Sequence, residues 1–161
     1  HREIFMRKQL SFLVMAFAMA FVLTSCNKAQ EQTKTAAQKE RKIGILLVNH
    51  GSRQKAWRDM LLDVEQHVDG QLLAMPSVKA VRTAFNEYTE PSVATRMKEF
   101  DDEGFDEVIV LPLFLTVGGH TDSDIPNLVG IKNDAAVLEG LPKTGVPVYR
   151  PRVKVTLLPT I

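Results

Sequence analysis

Ile43 to Ser52 reads IGILLVNHGS. The run Ile43–Asn49 is apolar almost throughout, with no polar alternation, and it stops at His-Gly-Ser. A continuous run of this length, bounded by turn residues, reads as a strand buried on both faces, the kind used in parallel sheets. Further along, Val108 to His120 reads VIVLPLFLTVGGH, a second apolar strand that again delivers a histidine just beyond its end.

Between and after these strands the pattern alternates. Gln54–Asp69 carries Trp57, Leu61, Leu62, Val64 and Val68 at helical spacing. Ser77–Phe85 (SVKAVRTAF) is β-rich. Pro91 suits the first position of a helix over Ser92–Glu103, which Gly104 closes. Glu107–Leu115 is the second fully apolar strand, Asp124–Glu139 a further helix, and Val146–Arg150 a fourth strand. The order βαβαβαβ with short connections predicts an α/β fold: an open parallel sheet of about four strands with helices on both faces, in a flavodoxin-like strand order. The greasy tail Val153–Ile161 suggests an element cut short at the C-terminus or packed against a partner.

In open parallel sheets, ligands bind beyond the carboxyl ends of the strands. There the chain places His50-Gly51-Ser52-Arg53, then Asn86-Glu87-Tyr88, then Gly118-Gly119-His120-Thr121. Two histidines and a carboxylate thus reach one sheet edge from three strands, which suits a metal ion or proton transfer: imidazole ligates borderline divalent ions and exchanges protons near neutrality. A carboxylate nearby can fix a histidine tautomer or take a proton onward. Glu87 could instead cap the following helix or pair with an arginine, and Glu90 competes for the same role. Asp122 and Asp124 read first as acids at a helix N-terminus, and His67 as an inert surface residue. Neither a phosphate-binding loop nor a nucleophile elbow is present.

The stretches VNHGSR, AFNEYTEPSV and VLPLFLTVGGHTDSDIP resemble the sirohydrochlorin cobaltochelatases, the ATP-independent class II tetrapyrrole chelatases, over about Lys42 to Leu128. The resemblance implies a lyase that inserts Co2+, or Ni2+ or Fe2+ in related members, into a tetrapyrrole for cobalamin or related cofactor synthesis, with the metal as substrate and no tightly bound cofactor. It implies that His50 and His120 bind the metal and act in catalysis, with Glu87 between them. Asn49 departs from the family's common glycine, and the segment after the fourth strand matches poorly. Ser52, Arg53, Leu115 and Gly119 border the histidines and are candidate contacts to the macrocycle; Lys55 and Arg58 are further candidate rim cations for its carboxylates, and Leu113, Phe114 and Val117 candidate apolar contacts. A single short domain offers half the cleft of a two-domain chelatase, so a homodimer is expected.

The N-terminus bears on location. Met6-Arg7-Lys8 precedes an apolar run from Leu10 to Leu23, too short to span a bilayer comfortably, and Leu23-Thr24-Ser25-Cys26 follows. This resembles a bacterial lipoprotein signal, with a plain secretory signal or an anchor helix as alternatives. The expected organisation is a signal peptide over 1–25 starting at Met6, a lipidated Cys26 and polar tether over 26–42, and the chelatase-like domain over 43–161. Asn27 after the cysteine points to the outer membrane, facing the periplasm. Such a location keeps open a non-catalytic metal- or tetrapyrrole-binding lipoprotein, a chaperone or scavenger, or a structural lipoprotein whose site has decayed. The single cysteine excludes an internal disulfide, and a net charge of +1 offers no general attraction for nucleic acid.

Overall fold

The computed structural model describes residues 40–160. The expected signal peptide, Cys26 and the tether up to residue 39 lie outside them. Four strands, β1 (Ile43–Asn49), β2 (Val78–Phe85), β3 (Glu107–Pro112) and β4 (Lys154–Leu157), form one sheet in the order β2-β1-β3-β4, every pair parallel. This is the α/β architecture and flavodoxin-like order that the alternation predicts. β1 and β3 sit in the middle, which is why they are the two uninterrupted apolar runs.

One sheet face carries the main core. Leu46, Val48, Val108 and Val110 meet Met97 and Phe100 of α2 (Val93–Asp102), Ile125 and Leu128 of α3 (Ile125–Leu128), and Leu141 of α4 (Ala135–Lys143). Each such side chain taken fully out of water contributes about 1.5–3 kcal/mol. Gly44 lets α2 come this close: a Cβ there would stand 2.3 Å from the Phe100 ring. The other face packs Ile45, Leu47 and Val81 against Val68 and Leu72 of α1 (Lys55–Leu73). No residue of α1 is fully buried, and Trp57, Met60 and Val64 on its stripe are exposed.

Three expectations need correction. Val146–Arg150 is not a strand; β4 comes eight residues later, within the tail. Val146 itself is buried and bonds back to Leu141, but Pro147 and Pro151 have no N–H to give a ladder. The segment is instead tied to α2 by Asp101, which accepts from the Tyr149 hydroxyl and the N–H groups of Arg152 and Val153. Secondly, Pro91 follows a cis bond and precedes the helix; Ser92 is the cap, accepting from the Thr95 N–H. Lastly, the helix expected over Asp124–Glu139 is split. Gly130, at φ +81°, ends its first part, and the Asp134 side chain starts α4 by accepting from Ala136 and Val137.

Candidate metal centre

The strand order brings the carboxyl ends of β2, β1 and β3 side by side, and backbone pairing runs past the strands to fix the loops. The Asn86 N–H donates to the Asn49 carbonyl (2.7 Å) and the Glu87 N–H to the His50 carbonyl (3.2 Å). At Gly51, φ is +92°, and a Cβ would lie 2.1 Å from the Glu87 carbonyl oxygen, so only glycine permits this approach. Tyr88 turns the chain at φ +68°, a left-handed conformation that costs a non-glycine residue about 1–2 kcal/mol. The Phe85 N–H, donating to the Pro91 carbonyl, closes the loop.

Within this loop the two glutamates separate. Glu90 turns to α2 and accepts from the Ser92 N–H (2.6 Å) and the Thr95 hydroxyl (2.8 Å). Burial opposes its ionisation, but these bonds and the nearby Arg96 prevail, holding its carboxyl below the ordinary value. Glu87 turns the other way. Its Oε1 lies 3.1 Å from His50 Nε2 and 3.8 Å from His120 Nε2. The imidazoles stand edge to face with centroids 5.0 Å apart, and ligand atoms of the three residues all fall within 4.8 Å of one another. Two ligands of a tetrahedral ion, each about 2.1 Å from it, stand about 3.4 Å apart. The two Glu87–imidazole distances bracket that figure, so the three side chains could hold a borderline divalent cation between them.

The other ring nitrogens explain why both Nε2 atoms face inward. His120 begins a single π-helical turn, His120–Asp124, that continues directly into α3. On that turn Asp124 Oδ2 comes 2.7 Å from His120 Nδ1. A carboxylate requires a proton there, so His120 is the Nδ1–H tautomer and its Nε2 carries a lone pair. Asn86 Nδ2 lies 3.1 Å from the same Nδ1, and its Oδ1 is buried without a partner. The tautomer demands the amide turned over, so that its oxygen shares the Nδ1–H. His50 Nδ1 faces the Gly51 carbonyl at 3.3 Å while its Nε2 lies 3.1 Å from Glu87 Oε1, so a divalent ion seated between that nitrogen and Glu87 would take the place of a bridging proton. Asn86 and Asp124 are the residues that sequence reasoning does not assign to the site. Asp124 lies four residues after a candidate ligand, which is the available signal.

The remaining candidates spread around this cluster. Phe114 packs against the core with its ring 6.1 Å and 6.2 Å from those of His50 and His120. Tyr88, its ring 6.0 Å from that of His50, and Leu115, 97% exposed, are open apolar surface; the exposed Val117 lines a separate cleft with Pro112, Thr121 and Leu157, and Leu113 packs into the α1-side core. Arg53 lies over the Tyr88 ring, 5.3 Å from its centroid. Arg58 is instead spent on the Ser52 and Arg53 carbonyls, Lys55 pairs with Asp59, and Ser52 Oγ accepts from the Gln54 N–H. Gly119 precedes the π turn. His67 bonds the Asp63 carbonyl on exposed α1, away from the cluster. Asn49 is buried with neither amide atom bonded.

Comparison with known proteins fits this geometry. The CbiX family model matches residues 44–152. A sirohydrochlorin cobaltochelatase of Methanopyrus kandleri is 32% identical over 56% of this chain and 60% of its own length. One of Saccharolobus solfataricus is 30% identical over 57% and 67%. The chain thus spans about 60% of the length of the first of these relatives. Among solved structures, the sirohydrochlorin chelatase SirB of Bacillus subtilis subspecies spizizenii in complex with cobalt superposes with a TM-score of 0.52, at 21% identity, over 73% of this chain and 43% of that one; this likeness concerns the fold. With its sheet order and the matched span, the chain belongs to the CbiX family.

Proposed function

We propose that this protein inserts a divalent metal ion, Co2+ first among candidates, into a sirohydrochlorin-like tetrapyrrole without ATP. The observation that carries the reading is the convergence of the Nε2 atoms of His50 and His120 on one Glu87 oxygen. Insertion exchanges two pyrrole N–H protons for one M2+. An imidazole that gives up the metal recovers the lone pair with which it can accept a proton, so one side chain serves as ligand and then as base. Glu87 balances the cation's charge and then that of an imidazolium. His50, with its side chain 47% exposed, can pass its proton to water. An apolar rim of Phe114, Leu115 and Tyr88 suits the macrocycle's face, and Arg53 suits its carboxylates.

A second copy of the chain would cover this rim, which a single domain leaves open to solvent; sedimentation of a fully active monomer would contradict it. The N-terminal pattern supports a lipid-anchored, periplasm-facing location, which radiolabelled palmitate incorporation, lost in Cys26→Ala, would test. Export also favours a rival, a metal- or tetrapyrrole-binding lipoprotein without turnover. An insertion assay separates the two. Sirohydrochlorin and Co2+ in large excess over protein should give many equivalents of metallated product; one equivalent or less per chain would establish the binding protein.

A further inference from the structure

His50 and His120 face the same glutamate from unlike surroundings. Beside His120 opens a cleft of about 400 Å3. Glu87, His120 and Asp124 line one side of it; Val137 and Gly140 of α4, with Thr144 just after it, line the other. His50 is not part of its lining. His50 instead borders Tyr88, at 6.0 Å between ring centroids, and through it Arg53.

We propose that the divalent cation enters through this cleft and meets His120 first, whereas the macrocycle arrives from the Tyr88–Arg53 side and meets His50. The inference rests on the metal-insertion reading and gives it a direction.

Charge and size carry it. The cleft wall holds two carboxylates and neither lysine nor arginine, so it attracts a cation and repels a polycarboxylate ring, and low-dielectric walls focus that field. Six waters at about 30 Å3 each occupy about 180 Å3, so a hydrated ion fits. The Thr144 hydroxyl donates to the Leu141 carbonyl and keeps its oxygen lone pairs, so it can accept alongside Asp124 and Glu87, the two anionic groups that can replace shed water. On the other side the Arg53 guanidinium is exposed above an aromatic ring, a natural mate for a carboxylate-bearing planar ligand. The two histidines then divide the reaction between them. His120, held by Asp124, receives the ion, and His50, open to solvent, takes the protons.

Gly140 provides the test. A Cβ built on it meets nothing within 4 Å and its φ is not positive, so a side chain can be added to the wall without strain. Stopped-flow Co2+ association with the tetrapyrrole-free chain and equilibrium sirohydrochlorin binding without metal would be measured for wild type, Gly140→Ala, Gly140→Phe and Gly140→Lys, with thermal melts confirming the fold of each. The expected result is Co2+ association slowed about tenfold or more by Phe and by Lys, unchanged by Ala, the Lys effect shrinking with salt. Sirohydrochlorin affinity should stay within about twofold in all of them. Co2+ uptake unaltered in both larger variants, or loss of sirohydrochlorin affinity instead, overturns the entry route alone. A wild-type chain that takes up no Co2+ overturns the metal-insertion reading beneath it.

Discussion

Two nearly buried glutamates lie at opposite ends of this sheet, and they are treated differently. Glu107, at the start of β3 with its side chain 8% exposed, accepts from the Thr156 hydroxyl and is paired with Arg41 and Lys154. The Thr156 bond, against the pull of burial and with Lys154 and Arg41 in support, holds its carboxyl below the ordinary value. Glu87, past the end of β2 with its side chain 14% exposed, has among the described residues no lysine or arginine within 4 Å, only two imidazoles. The first carboxylate has its cations built in. The second has only imidazoles beside it, and the proposed function puts the missing cation there. A structural charge is saturated, whereas a binding charge is left to be completed by what arrives.

Exchanging the two acids for their amides should expose that contrast, with the greatest effect at the binding end. Glu87→Gln should weaken Co2+ binding about 100-fold by removing the only anionic ligand of the three, while the melting temperature holds or rises; isothermal titration and calorimetry give both readings. Glu107→Gln should do the reverse. Co2+ affinity stays, and stability at pH 7 falls by about 2 kcal/mol, because the amide's NH2 meets donors where a carboxylate oxygen accepted. Its pH dependence follows from the lowered carboxyl. The wild-type contribution is present above the unfolded value, about 4.3 for glutamate, and is lost as pH falls through the lower folded value. Urea unfolding from pH 7 to pH 3 should therefore show a shallower acid decline in the variant; equal slopes would remove Glu107 as the saturated member of the comparison. A smaller effect is expected behind the ligands. Asp124→Asn should cost about tenfold in Co2+ affinity by releasing the His120 tautomer, with Asp124→Glu recovering part of it and stability barely changed.

Much of this is legible in the residues, and the remainder has identifiable reasons. β1 and β3 announce themselves because central parallel strands need apolar residues on both faces; His50 follows β1 at once, and His120 comes eight residues past the end of β3, at the start of the π turn. β4 is misplaced by pattern alone because Val146–Arg150 has the apolar content of a strand, while its prolines deny it a ladder. The broken helix is readable in Gly130 and Asp134, whose turn and cap chemistry an apolar count ignores. Glu87 and Glu90 cannot be told apart in the sequence, being three residues apart on one loop; the left-handed turn at Tyr88 parts them. Asp124 reads as a helix-terminal acid in any register, and only the π turn puts its carboxylate on His120. Arg58 looks like a rim cation because sequence does not show that two loop carbonyls already hold it.

The proposed chemistry needs one cation shared by His50, Glu87 and His120. The most direct measurement is X-ray absorption of the Co2+-loaded chain beside a His50→Ala/His120→Ala variant. The prediction is one equivalent bound through two imidazole nitrogens and at least one carboxylate oxygen at about 2.0–2.2 Å, with the imidazole signal and stoichiometric uptake both gone in the variant. An all-oxygen shell in the wild-type chain, or the same uptake after both histidines are removed, would contradict it.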